Sequence, residues 1–348
     1  MKIKVKTILI SLFVLLITLC VCGVIIFTNL LSPVCNDKDS ELFKEFTVKI
    51  PRGVGLKSVG QNLYENQMIK SSLVFYIYSR FVKPNIKAGV YNIDNSLSVK
   101  EILAVIESGK QAQIVISIPE GLTMRRIGEI LEKKDVVSKE AFLLACKNST
   151  LLEKYNLKNI ESFEGFLFPD TYYFTPSMDA DDVVSIMVEN FFDKISTVKE
   201  FELLSTEKLY YVLRLASIVE REYRVKEEAP LIASVFSNRL RRTIGLYSCA
   251  TVEYIITEIE GRPHPEVITY KDLKIESPYN TYIHAGLPPT PISNPGMVAL
   301  SAAVNPPKTS YYFFRLVDVE KGTHYFSSYF DEHTEMGKSL STKKAAGY

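Results

Sequence analysis

A single uncharged run, Thr7 to Asn36, stands apart from the mixed pattern of the rest of the chain. Its apolar heart, Ile8 to Leu31, exceeds the roughly 20 residues that span a bilayer, and it predicts a transmembrane helix over residues 7–31. Lys2, Lys4 and Lys6 precede it, which places residues 1–6 in the cytoplasm and the remainder beyond that membrane. A cleaved signal peptide is the competing reading. The run is long for one, no A-x-A-like site follows it, and Leu19 ahead of Cys20 makes a poor lipoprotein site. Residues 32–45 (SPVCNDKDSELFKE) then read as a short polar linker.

Beyond the linker the pattern repeats. VKIPRGVGLKSVGQNLYENQMI from Val48 matches VISIPEGLTMRRIGEILEKKDVV from Val115. Pro51, Gly53, Val59, Gly60 and Leu63 align with Pro119, Gly121, Ile127, Gly128 and Leu131. Each copy reads as a strand, a Pro-x-Gly turn, an amphipathic helix and a second short helix. The first copy continues with a strand near 88–93 and a helix near 99–108. Two copies suggest a duplicated small α+β unit, though two short strands with Pro-x-Gly turns can also match by chance.

Farther on, Ser162 to Phe174 (SFEGFLFPDTYYF) concentrates aromatic side chains, which suit either a core or the floor of a sugar cleft. Asp181 to Ile195 predicts an amphipathic helix with Val183, Ile186, Met187 and Phe191 along one side. A helix capped at Ser205 or Thr206 follows, then one whose first turn holds Pro230. Ser277 to Gly296 is too rich in proline and glycine for regular structure and reads as a long ordered loop. Met297–Val304 predicts a short helix, residues 310–317 and 324–330 a hairpin, and 336–348 a flexible tail. The whole is an α+β chain.

Composition narrows the classes. The chain has 348 residues, is 47% hydrophobic and contains 20 Tyr and 19 Phe, enough for about two ordinary domains. A formal charge of +1 gives no nucleic-acid footprint. The five cysteines and four histidines are scattered, so no metal site, cofactor or disulfide framework is expected.

One carboxylate breaks the pattern. Leu209, Leu213 and Ala216 form a buried helical stripe, and Glu220 lies three turns after Leu209 on that same stripe. Glu222 points to the opposite side on this reading. Burial raises a carboxyl pKa, which suits a general acid. The alternative is that the helix ends near Glu220 and its side chain escapes to water.

Three segments together carry a resemblance: SFEGFLFPDTYYF, LASIVEREY with PLIASVFSNRL, and SPYNTYIHAGLPPTPISNPGMVALSAAVNPPKTSYYFF. Over roughly residues 45–333 the chain resembles the endolytic murein transglycosylases of the YceG-like family. The resemblance implies a single-pass anchor in the bacterial cytoplasmic membrane, a small LysM-like α+β subdomain (46–110) and a mixed α+β catalytic domain outside the membrane (111–335). It implies lytic cleavage of the β-1,4 bond between N-acetylmuramic acid and N-acetylglucosamine in peptidoglycan glycan strands. The products end in 1,6-anhydro-muramic acid, and strand elongation is terminated beside glycan-polymerising synthases (penicillin-binding proteins). The family's catalytic Glu falls at Glu220 in Ser217-Ile218-Val219-Glu220. Asn280, Tyr282, Glu164 and Thr251 become candidates for gripping the saccharide, with support of their own loops or helices as the competing role. The family's L-Q-S-D-P-T-V reads here Leu246-Tyr247-Ser248-Cys249-Ala250-Thr251-Val252, so an Asp-Pro pair is lost. If that pair serves catalysis, the alternative is a non-catalytic peptidoglycan-binding scaffold.

Overall fold

The computed structural model describes residues 2–51 and 53–345, and the chain divides into two units that part between Gln113 and Ile114. The first unit opens with helix α1 (Lys2–Leu31), whose stretch from Lys6 is long and apolar enough to cross a membrane. A helix satisfies its own backbone, as hydrocarbon requires. The segment read as a short polar linker is hydrogen-bonded to the rest of its unit. The Val34 and Cys35 amides both donate to the Asn95 carbonyl at 3.0 Å, and the buried Asn95 side chain bonds Leu42 and Lys44. Composition hid this because the anchoring residue lies far along the chain.

The rest of the first unit is β1 (Glu45–Ile50), α2 (Leu56–Glu65), α3 (Ser72–Val82), β2 (Gly89–Asp94) and α4 (Val99–Ser108). Strands β1 and β2 pair antiparallel from Glu45↔Asp94 to Ile50↔Gly89. The second unit begins with β3 (Ile114–Ser117), α5 (Met124–Lys133), α6 (Lys139–Ala145), α7 (Ser149–Lys154) and β4 (Thr171–Phe174), with β3 antiparallel to β4.

The sequence repeat is a repeat of structure. Gly53 and Gly121 adopt φ of +76° and +78° in matching Pro-x-Gly turns. Gln67 and Asp135, also 68 residues apart, both turn left-handed where the first helix ends. The next amides, of Met68 and Val136, return to the carbonyls of Leu63 and Leu131. Gly60 lies under the Phe75 ring and Gly128 under Phe142, so each pair of helices meets at a glycine–phenylalanine contact.

The second unit continues through α8 (Ala180–Ser196), α9 (Thr206–Val219), α10 (Ala229–Arg241) and α11 (Cys249–Tyr254), which a π-helical turn prolongs to Ile259. Then come the long irregular loop, α12 (Met297–Val304), the hairpin β5 (Phe313–Asp318) and β6 (Thr323–Ser327), and α13 (Phe330–Ala345). Helices α9, α10 and α12 pack on one another in the main core. The aromatic stretch is core: Phe163, Phe166, Phe168, Tyr172 and Phe174 are buried, and Tyr173 alone of its rings is exposed. The expected tail at 336–348 is helical as far as Ala345, and residues 346–348 lie outside the described residues. Polar composition gave no helical stripe there. The helix is started by ring contacts of Phe330 and His333 with Phe313 on β5.

Gly165 locks the aromatic stretch to the core. Its φ is +92°, and a Cβ there would lie 2.7 Å from Pro291 and 3.0 Å from Leu213. Gly165→Ala is expected to destabilise the second unit by roughly 2–4 kcal/mol through backbone strain plus overpacking. Urea denaturation of the full chain in detergent micelles checks this, and a midpoint equal to wild type contradicts it.

Candidate active site

Helix α9 starts at the Ser205 cap and buries Leu209, Leu213 and Ala216 as the spacing predicts. It ends at Val219, where the last four carbonyls of a helix lack intrahelical partners. Here each finds one. Ala216 accepts from Glu220 N–H at 2.8 Å, Ile218 from Arg221, and Val219 from Glu222 and Tyr223. The Ser217 carbonyl accepts from Ser293 Oγ at 3.0 Å. The Ser217 hydroxyl donates to Arg214 and accepts from Ile292 N–H. The helix terminus is thereby sewn to the proline-rich loop.

Asn294, buried in that loop, joins it to two further segments. Its Oδ1 accepts from the Gly165 and Leu167 amides at 2.8 and 2.9 Å, and its Nδ2 donates to Leu122 O and Glu164 Oε1. Its backbone exchanges bonds with Gly121 N–H and Leu122 O. Every polar group of this residue is used, as burial demands.

Two residues on, Gly296 opens α12 and meets Glu220. The Gly296 N–H donates to Glu220 Oε2 at 2.9 Å, and the Tyr223 hydroxyl donates to Oε1 at 3.0 Å. The helix does end near Glu220, but the side chain stays half-buried rather than escaping to water. Burial pushes its pKa up to about 7 against the lowering effect of the Gly296 amide. The negative charge of Glu120 raises it further, and Tyr223 and Arg221 lower it. Burial also raises the Tyr223 phenol well above its usual range, so it remains a donor. The Arg221 guanidinium is drawn to Glu253 at 2.5 Å, which also meets His264 at 3.0 Å. Such a carboxyl can give up a proton near neutrality and take one back.

The other candidates are in different states, and none of them is among the hydrogen-bond partners of Glu220. Glu164 is buried, accepts from Met124 N–H at 2.9 Å in the first turn of α5, and is pushed up to about 8 by burial. Asn280 is fully buried and braces its own loop, donating to Leu273 and Ile275 and accepting from Tyr282 N–H. Thr251 is fully buried, donating to Ser248 O at 2.7 Å and sharing a bond with Thr281. Tyr282 differs. It is half-exposed, stands 3.1 Å from Cys249 Sγ, and lines a cavity of about 540 Å³ with Tyr247, Arg239 and Phe313. The turn that departs from the family pattern is held by Thr281, which bonds the Tyr247 and Ser248 amides and Thr251 Oγ1. None of these bonds uses the Cys249 or Ala250 side chain.

Glu222, expected on the side opposite the Glu220 stripe, has different hydrogen-bond partners from Glu220. It turns inward, accepts from Ser248 Oγ at 2.5 Å, and is raised to about 7 by burial. Sequence reasoning missed Tyr223, Ser217, Asn294, Gly296 and Glu120. Glu120 left a signal: it stands in the Pro-x-Gly turn where the first copy has Arg52.

Three carboxyls of the second unit thus bind protons more readily folded than unfolded, from an ordinary 4.5 to about 7 or 8. Their contribution to stability is complete below about pH 4.5 and is lost as pH rises through about 8. The urea midpoint is therefore expected to fall between pH 5 and 8, and Glu164→Gln to flatten that slope. A slope unchanged by the substitution contradicts the assignment.

The family model that matches residues 48–339 is that of the YceG-like family. Among curated proteins, the endolytic murein transglycosylase of Bacillus subtilis (strain 168) is 30% identical over 332 residues, covering 91% of this chain and 89% of the relative. That of Streptococcus pneumoniae serotype 2 (strain D39) is 29% identical over 325 residues, 85% of this chain and 58% of the relative. A crystal structure of a YceG-like protein from Listeria monocytogenes superposes with a TM-score of 0.55 at 29% identity, covering 84% of this chain and all but 1% of the other. With most of its length matched by that model and by these relatives, the chain belongs to the YceG-like family.

Proposed function

We propose that the protein is a membrane-anchored endolytic peptidoglycan lytic transglycosylase whose proton donor and acceptor is Glu220. The observation that carries this reading is the carboxyl itself: half-buried, raised to about 7, and held by donors on both oxygens. The activity named for the relatives from Bacillus subtilis and Streptococcus pneumoniae supports it.

In the proposed reaction, protonated Glu220 gives its proton to the glycosidic oxygen as the bond from that oxygen to the muramic acid C1 breaks. The carboxylate left behind is stabilised by the Gly296 amide and the Tyr223 hydroxyl. It then accepts the proton of the muramic acid 6-hydroxyl, whose oxygen bonds to C1 and closes the 1,6-anhydro ring. Glu220 ends protonated, no water enters, and no second carboxylate is needed where glycosidases employ two. The internal hydroxyl supplies the nucleophile by proximity.

Burial supports our assignment of the other residues. Asn280 at 0%, Thr251 at 0% and Glu164 at 2% exposure have their polar atoms engaged within the protein, so we give them support of the loops around the cleft. Tyr282 is half-exposed, lines the cavity beside Tyr247, and is our saccharide contact. We read the first unit as a LysM-like wall-binding module on its β1–α2–α3–β2 order. Helix α1 is its anchor in the cytoplasmic membrane, with the lysine-bearing end inside. Internal cuts in nascent strands would end their elongation, and we take glycan-polymerising synthases as the protein's partners.

Product mass on purified glycan strands tests the reading. Wild type is expected to release anhydro-ended fragments whose masses sum to that of the substrate. Glu220→Gln is expected to slow this by about 10²–10⁴-fold, the contribution usual for general acid–base groups. Fragments heavier by one water indicate hydrolysis and overturn the mechanism. An inactive wild type instead favours the non-catalytic scaffold.

A further inference from the structure

Glu120 serves no structural purpose so far described. It is exposed on the turn between β3 and α5, and it has no hydrogen-bond or ion-pair partner among the described residues. Yet its carboxylate lies against Gly296, where a Cβ would overlap it. Gly296 is the residue whose amide holds Glu220. The neighbour of Glu120, Gly121, faces Glu220 in turn: a Cβ there would sit 3.5 Å from Glu220 Cγ. Each glutamate therefore rests on a glycine adjoining the other.

We propose that Glu120 is a positioning residue of the reaction, whose negative charge across Gly296 keeps Glu220 protonated for donation and so sets the alkaline limit of activity. The proposal deepens the assignment of Glu220 as proton donor and rests on it.

The surroundings make this charge count. Glu220 faces the start of α12, where helix N-terminal amides favour a carboxylate and would lower its pKa. From its own chain segment it faces the Arg221 cation and the neutral Tyr223 hydroxyl. Arg221 is partly neutralised by Glu253. Glu120, on the β3–α5 turn, is the anion opposing these effects, and a like charge disfavours ionisation. The turn itself does not demand an acid. Its counterpart in the first copy reads Pro51-Arg52-Gly53, with Gly53 and Gly121 in the same conformation.

Glu120→Gln and Glu120→Asp in the full-length protein, in detergent micelles, test the proposal through pH–rate profiles on glycan strands. Because Glu120 is solvent-exposed, the alkaline limb of Glu120→Gln is expected to move down by only about 0.5–1 pH unit. That shift makes the loss about three- to tenfold at pH 8 and far smaller at pH 5. Glu120→Asp should lie between. A loss equal at all pH values, or an unmoved limb, overturns the proposal, because a purely structural or substrate-contact role would behave so. In parallel, the Glu220 carboxyl is titrated by ¹³C NMR, assigned from its absence in Glu220→Gln. An active enzyme whose Glu220 midpoint is unmoved in Glu120→Gln also overturns the proposal. An inactive wild type with a lowered midpoint overturns the donor assignment and leaves the coupling between the two glutamates standing.

Discussion

The hydrogen bond from the Gly296 amide to Glu220 is the constraint on which the site depends. It sets two tendencies against each other. Burial at the end of α9 favours the neutral acid, whereas an amide at the start of α12 favours the carboxylate. The outcome is a group balanced near neutrality. A group balanced there can both donate and accept within one catalytic cycle, which an ordinary exposed glutamate at pH 7 does poorly.

Holding that bond takes most of the surrounding polar network. Gly296 keeps its place because Asn294 is bonded on every polar atom to the 121–124 turn and the 164–167 stretch. The end of α9 keeps its place because Ser217 and Ser293 lock it to the same loop. Glu164 belongs to this support, fastening the start of α5. A buried network of this kind fixes geometry only while every member is satisfied. It follows that changes at Asn294 or Ser217 are expected to disturb the Glu220 carboxyl through this network.

How much of this was legible in the sequence depended on range. Local patterns were readable: the apolar span, the Ser205 cap, Pro230 in its first turn and the irregular loop all appear where spacing put them. Glu220 stood out as a candidate because its stripe is local to one helix. Asn280, Thr251 and Glu164 sit in segments that match the family, but the sequence could not separate bracing from gripping. The bracing role proposed for them rests on burial and on partners far along the chain, such as Asn294 for Glu164. The docking of α13 on β5 was hidden for the same reason: its anchor is a tertiary ring contact rather than a local stripe.

The central claim is that Glu220 is a neutral acid on the acidic side of pH 7 because of where the fold holds it. Infrared difference spectroscopy between the full-length wild type and Glu220→Gln, both at pH 6, tests this most directly. A protonated-carboxyl stretch present in wild type, absent in the variant and fading as pH passes through about 7 is the predicted result. A difference spectrum at pH 6 containing only carboxylate bands would contradict it.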